Sequence, residues 1–253
     1  MYYEICGEGE KTILLLHGWG GKCESFLPLI RDLKGTARLA AVDFPGHARS
    51  PEPPEAWSVT EYTQLIYAFI EEVLGGRVSI AAHSFGCRVS ILLAAEHPEC
   101  VDRMVLTGAA GIRPVQTEEK KKKASAYQKL KGLCDNAVTR KVLGDKAVDG
   151  LREMLIRKYG SADYKALSPN MRATFNRVVT QDLTPYLKDV KSSVLLVWGR
   201  DDTETPLWMG EKMEKEMNDA GLVVLDGTGH FAYLDRYPQF LAMTRTFLIE
   251  QEH

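Results

Sequence analysis

The segment "SIAAHSFGCRVS", Ser79 to Ser90, places a serine between two apolar runs, with Ala82 two residues before Ser84 and Gly86 two residues after it. A nucleophile on a sharp strand-to-helix turn needs small residues at those two positions, because the bend leaves no room for side chains. Ser84 could equally serve as a helix N-cap and nothing more. A serine hydroxyl becomes a useful nucleophile only when a base takes its proton. The chain has six histidines: His17, His47, His83, His97, His230 and His253. His97 precedes Pro98 at a helix end, and His253 is the last residue. His83 adjoins the serine, but on an extended segment its side chain turns the other way. The stretch "DGTGHFAYLDRYP" leaves His230 in a short glycine-bearing loop before a final helix. An imidazole base works best when a carboxylate holds its tautomer. "LLVWGRDDTETP" offers Asp201 and Asp202 for that role, and either could instead cap the turn that follows.

These residues share one kind of position, directly after an apolar run. The runs are "TILLLH", "ARLAAVDF", "RVSIAAH", "RMVLTG", "SVLLVWG" and "GLVVLDG", nearly continuous rather than alternating. Strands covered by helices on both faces read this way. Helix-length stretches fall between them at Thr60–Leu74, Cys87–His97 and Trp208–Met217. The alternation predicts an α/β fold with a mostly parallel central sheet and helices on both faces. Functional groups then belong at the carboxyl ends of the strands. Between Ile112 and about Lys188 the rhythm breaks into a lysine- and arginine-rich stretch with no convincing strand. It reads as inserted helices near Thr117–Asn136, Lys146–Lys158 and Ser168–Gln181. Its run "EEKKKK" reads as a solvated helix face, with a basic binding patch as the alternative.

Composition narrows the partners. With 253 residues, 45% hydrophobic and a net charge of -2, the chain can bury a large core and has no general attraction for nucleic acid or an anionic membrane. The expected partner is a small-molecule substrate; nothing bears on oligomeric state. Five scattered cysteines with no CxxC pair point to free thiols in a reducing compartment. No signal-peptide pattern or membrane-length apolar run is visible, so the expected location is the cytoplasm. The glycine-rich bend "HGWGG" after the first run misses the dinucleotide pattern, because Cys23 stands where its last glycine belongs. It misses the phosphate-loop pattern because cysteine follows Lys22.

Taken together, the motifs resemble the α/β-hydrolase family over nearly the whole chain. "LLLHGWGG" looks like that family's oxyanion loop, and "VDFPGHARS" matches its D-x-P-G-H-G-x-S segment with Ala48 in place of the usual glycine. "AAHSFG" is similar to its nucleophile elbow with Ala82 in place of glycine, "WGRDD" to its acid loop and "GTGHF" to its histidine loop. The chain order Ser, Asp, His is also that of the family. The resemblance implies a core built from residues 1–111 and 189–253, with a helical cap at 112–188. It implies a triad of Ser84, Asp202 and His230, the acid mapping onto Asp202 ahead of Asp201. An oxyanion hole would come from the backbone N–H groups of Trp19 and Phe85, with His17 and His47 structural. Trp19, Phe85 and Phe231 adjoin those elements and are the substrate-lining candidates. No metal or organic cofactor is implied.

The activity implied is serine hydrolysis of a carboxylic ester, on a small or medium acyl group, through an acyl-enzyme. Dehalogenases and epoxide hydrolases of the family use an aspartate nucleophile, so Ser84 argues against both. An alternative is carbon–carbon bond hydrolysis or lyase chemistry on a diketone-like substrate, for which Arg88, Arg172 or Arg177 could supply a pocket cation. A third is a non-catalytic ligand receptor that kept the fold.

Overall fold

A computed structural model of the protein describes residues 1–113 and 162–250, together with 141, 144, 146–148, 150 and 154. The six apolar runs are strands: β2 (Thr12–Leu16), β3 (Arg38–Asp43), β4 (Val78–His83), β5 (Val101–Thr107), β6 (Ser193–Gly199) and β7 (Ala220–Leu225). A seventh, β1 (Tyr2–Cys6), was not expected. Four of its five residues are exposed, so it shows no continuous apolar run. The sheet order is β1-β3-β2-β4-β5-β6-β7. All neighbours are parallel except β1, which runs antiparallel along β3 from Tyr2 opposite Asp43 to Cys6 opposite Leu39.

Successive strand residues point to opposite faces, and each face carries its own core. Leu14, Leu16, Val42, Ile80, Ala82 and Leu106 lie on one, packed with helices α2 (Val59–Phe69) and α3 (Phe85–Glu96). Ile13, Leu15, Ala41, Ala81 and Val105 lie on the other, with α1 (Leu27–Leu33) and chain-terminal residues such as Phe240 and Leu248. Each fully buried aliphatic side chain of this kind contributes about 1.5–3 kcal/mol. Local signals agree with the packing. Helix α2 opens on a capping box in which Ser58 Oγ accepts from the Thr60 amide and Glu61 accepts from the Ser58 amide. It continues to Leu74 through one wider π turn and ends on Gly75 in the left-handed region.

By contacts the chain forms two compact units, Met1–Arg113 with Ala173–His253, and Pro114–Arg172. In the second, Ala162–Ala166 is a short helix. Helix α4 (Pro169–Thr180) begins at the end of that unit and continues into the first. The helices expected at Thr117–Asn136 and Lys146–Lys158 lie outside the described residues or almost so. Among the described residues no helix is long and apolar enough to cross a membrane.

The loop after β3 is anchored by charge. Asp43 is buried and accepts from the Cys23 amide at 2.6 Å and from Arg49 Nε at 2.7 Å, while Arg49 also reaches Glu4 and Glu24. This fastens the loop to β1 and to the segment before α1. Within it Ala48 has φ 45°, a left-handed conformation that favours glycine. Ala48→Gly therefore raises thermal stability by about 1 kcal/mol, or about 2–4 °C in a domain of this size. An unchanged or lowered melting temperature in a calorimetric scan contradicts the strain argument.

Candidate active site

Strand β4 ends at His83 and α3 starts at Phe85, so Ser84 alone makes the reversal. Its backbone sits at φ 50° and ψ −105°, a region that costs a non-glycine residue about 1–3 kcal/mol. Its amide donates to the Thr107 carbonyl on β5 at 3.1 Å, and its carbonyl accepts from the Cys87 and Ala110 amides. Ser84 occupies the N-cap position, yet its side chain makes no capping hydrogen bond. The hydroxyl is therefore not engaged in the structural role that the sequence left open. Gly86 explains the tightness of the turn: a Cβ there would lie 2.2 Å from the Leu16 carbonyl oxygen. Ala82 is completely buried in the core and paired in register with Leu16 and Leu106.

Two loops bring the acid and base together. Arg200 donates through its amide to the Leu225 carbonyl, and Asp201 through its amide to the Thr228 carbonyl. They approach so closely that a Cβ on Gly199 would lie 2.1 Å from the Gly229 oxygen. Asp202 is buried and His230 Nδ1 stands 2.9 Å from its Oδ2, whereas Asp201 is exposed. The remaining lone pairs of Asp202 are filled as well. Oδ1 accepts from the amides of Glu204 and Thr205, both at 2.9 Å, and Oδ2 accepts from Thr205 Oγ1 at 2.8 Å. Burial works to raise the Asp202 pKa, but the bonds from His230 and Thr205 outweigh it and hold the carboxyl below its ordinary value. A carboxylate facing Nδ1 favours the tautomer with its proton there and the lone pair on Nε2. The end of β5 borders both segments: Thr107 accepts from the Ser84 amide, and the next residue, Gly108, lies against the His230 ring. Gly108 follows Thr107, and a Cβ on it would lie 3.1 Å from His230 Nδ1.

The loop after β2 is braced from within. His17 is buried, donates from Nδ1 to the Gly18 carbonyl at 2.7 Å and accepts the Phe44 amide on Nε2 at 3.0 Å, which fixes one neutral tautomer. Burial brings its pKa down to about 4. The Gly18 carbonyl also accepts from the Gly21 amide, closing the turn that carries Trp19. The Trp19 ring packs edge-on against His47, Phe85 and Phe175. Phe85 turns its ring inward, buried against Phe44, Tyr62 and His47; its amide, first in α3, has no partner within the helix. Phe231 is 52% exposed and borders His83 and His230.

Two residues escaped the sequence reasoning. Thr205 lies three after Asp202 and completes its shell, and the pattern Asp-x-x-Thr is the turn signal that could have found it. His83, set aside as a partner for the serine, has its ring 4.7 Å from that of His230. The three arginines considered as pocket cations donate to main-chain carbonyls. Arg88 reaches Val178 and Gln181, Arg172 reaches Tyr164 and Lys165, and Arg177 reaches Ala56.

The profile of the alpha/beta hydrolase family matches residues 13–243, and the chain belongs to that family. It is 27% identical to a pimeloyl-[acyl-carrier protein] methyl ester esterase of Neisseria meningitidis, over 94% of this chain and 93% of that one. It is 25% identical to a 2-hydroxy-6-oxononadienedioate/2-hydroxy-6-oxononatrienedioate hydrolase of Burkholderia vietnamiensis, over 98% of this chain and 90% of that one. Among solved structures, MGS-M2, an alpha/beta hydrolase enzyme from a deep-sea metagenome library, superimposes with a TM-score of 0.75. That match covers all of this chain and 94% of the other at 18% identity, a likeness of fold.

Two outcomes follow from this geometry. Asp202→Asn lowers turnover by about a hundredfold or more, because Nδ1 loses the acceptor that sets its tautomer, while Asp201→Asn leaves it within about twofold; equal losses on the two substitutions defeat the assignment. His17 and His83 both have folded pKa values of about 4 against an ordinary 6.5. The unfolded chain binds those protons first, so stability is complete above pH 6.5 and falls as pH drops toward 4, by up to about 3 kcal/mol for each histidine. Urea unfolding at pH 7 and pH 4.5 checks this, and equal midpoints refute it.

Proposed function

We propose that the chain is a serine hydrolase of the carboxylic-ester class, acting on a small or medium acyl substrate through an acyl-enzyme. The observation that carries the reading is the bond between His230 Nδ1 and buried Asp202, beside a serine whose hydroxyl has no capping role. In the first half-reaction Ser84 Oγ bonds to the ester carbonyl carbon as His230 Nε2 takes its proton. The oxyanion accepts from the amides of Trp19 and Phe85. The imidazolium then protonates the departing alkoxide as the carbon–oxygen bond breaks. Water repeats the sequence on the acyl-enzyme, returning the proton to Ser84 and releasing the acid. Substrate contacts are assigned to Trp19 and Phe231; Phe85, expected beside them, has its ring buried in the core and offers only its amide.

Carbon–carbon bond hydrolysis is the second reading, favoured by similarity to the Burkholderia vietnamiensis hydrolase at close to full coverage. The carbonyl partners of Arg88, Arg172 and Arg177 weigh toward the ester, since those arginines were the cations offered for the alternative. The test is labelling by a fluorophosphonate probe, compared with Ser84→Ala, and turnover of nitrophenyl esters of increasing acyl length. The expected result is labelling and ester turnover by the wild type, and loss of both in the variant. An unlabelled wild type overturns the nucleophile, and labelling without ester turnover moves the assignment to the carbon–carbon reading.

A further inference from the structure

We infer that His83 is a positioning residue for His230, acting through a hydrogen bond from its ring Nε2 to the His230 main-chain carbonyl. The inference rests on the serine-hydrolase reading and deepens it. The Nε2 to oxygen distance is 3.0 Å. A carbonyl only accepts, so Nε2 carries the proton. The ring is 4% exposed and sits among His230, Phe231 and Tyr233 at centroid distances of 4.7, 5.1 and 4.9 Å. A polar ring in such a place costs stability unless it is bonded, and this bond is the one that joins it to the base. Burial lowers its pKa to about 4, so the ring stays neutral through the range in which an imidazole base works.

Among the described residues, His83 is the side chain that bonds the His230 main-chain carbonyl. Asp202 holds His230 by the tip of its ring, and the Asp201 amide holds the loop before it at Thr228. Between Thr228 and His230 stands Gly229, with no side chain to restrict its backbone. The bond from His83 fixes the second end. His83 directly precedes Ser84, so the same turn that aims the hydroxyl also holds the backbone of the base. It touches the third component as well: a Cβ on Gly18, beside Trp19, would lie 2.8 Å from His83 Nδ1. Nucleophile, base and oxyanion loop therefore take their spacing from one buried ring. Misplacement of a base by about 1 Å is enough to slow a reaction severely.

Two variants separate the bond from the packing. His83→Gln keeps an N–H donor near the Nε2 position but loses the ring, and His83→Phe keeps a ring but loses the donor. Both the rate of fluorophosphonate labelling and the steady-state constants for a nitrophenyl ester are measured, with thermal midpoints as the control for folding. The expected result is that His83→Phe loses about tenfold in kcat and in labelling rate with KM nearly unchanged, the scale of one lost hydrogen bond, while His83→Gln stays within about threefold of wild type. If His83→Phe retains the wild-type rate, or if both variants lose rate only in proportion to lost folding, the positioning role is overturned although Ser84 still labels. A wild type that neither labels nor turns over ester overturns the serine-hydrolase reading, and this assignment with it.

Discussion

The arrangement depends on one close approach, that of helix α3 to strand β2 at Gly86. With no side chain between them, the helix axis can start beside the carboxyl end of β4, and the chain must turn through a single residue. Ser84 bears the strain of that turn. The strain persists because ten of the twelve residues of α3 are buried, so relaxing the serine would mean withdrawing a packed helix from the core. The strained position of Ser84 is thus a property of the core, set by the apolar residues that hold α3 in place.

Electrostatics in the site follow from saturation rather than from net charge. Asp202 stays ionised though buried, because four donors converge on its two oxygens. His17 and His83 stay neutral though polar, because each is buried and bonded to the main chain. The outcome is a carboxylate facing one imidazole, with the neighbouring imidazoles uncharged.

Much of the scaffold was legible in the sequence, for a physical reason. Strands buried on both faces read as unbroken aliphatic runs, and six of them did, with the chemistry-bearing residues falling at their ends. β1 was not legible because an exposed edge strand carries no such run; "YYEIC" announces itself only by pairing with β3. Asp202 was set ahead of Asp201 only through the resemblance to the family's acid loop, and Gly199, at the start of that loop, is where the two loops touch. Thr205 was within reach of a local turn signal, three residues after Asp202, whereas the bond of His83 was not legible, since it depends on which atoms face each other across segments distant in the chain. The alternation rule for strands turned the His83 side chain away from that of Ser84. It could not say what the ring meets on the far side.

Arg88 gives the fold a mechanical property. It lies one turn into α3, four residues after the serine, and its guanidinium grips the carbonyls of Val178 and Gln181 at the carboxyl end of α4. A cation in that place complements the helix dipole and ties up carbonyls that the helix leaves unpaired. The Leu183 amide adds a second clasp, to the carbonyl of Gly111. The helix that follows Ser84 and the returning helix are thereby fastened to each other at two points, independently of the sheet.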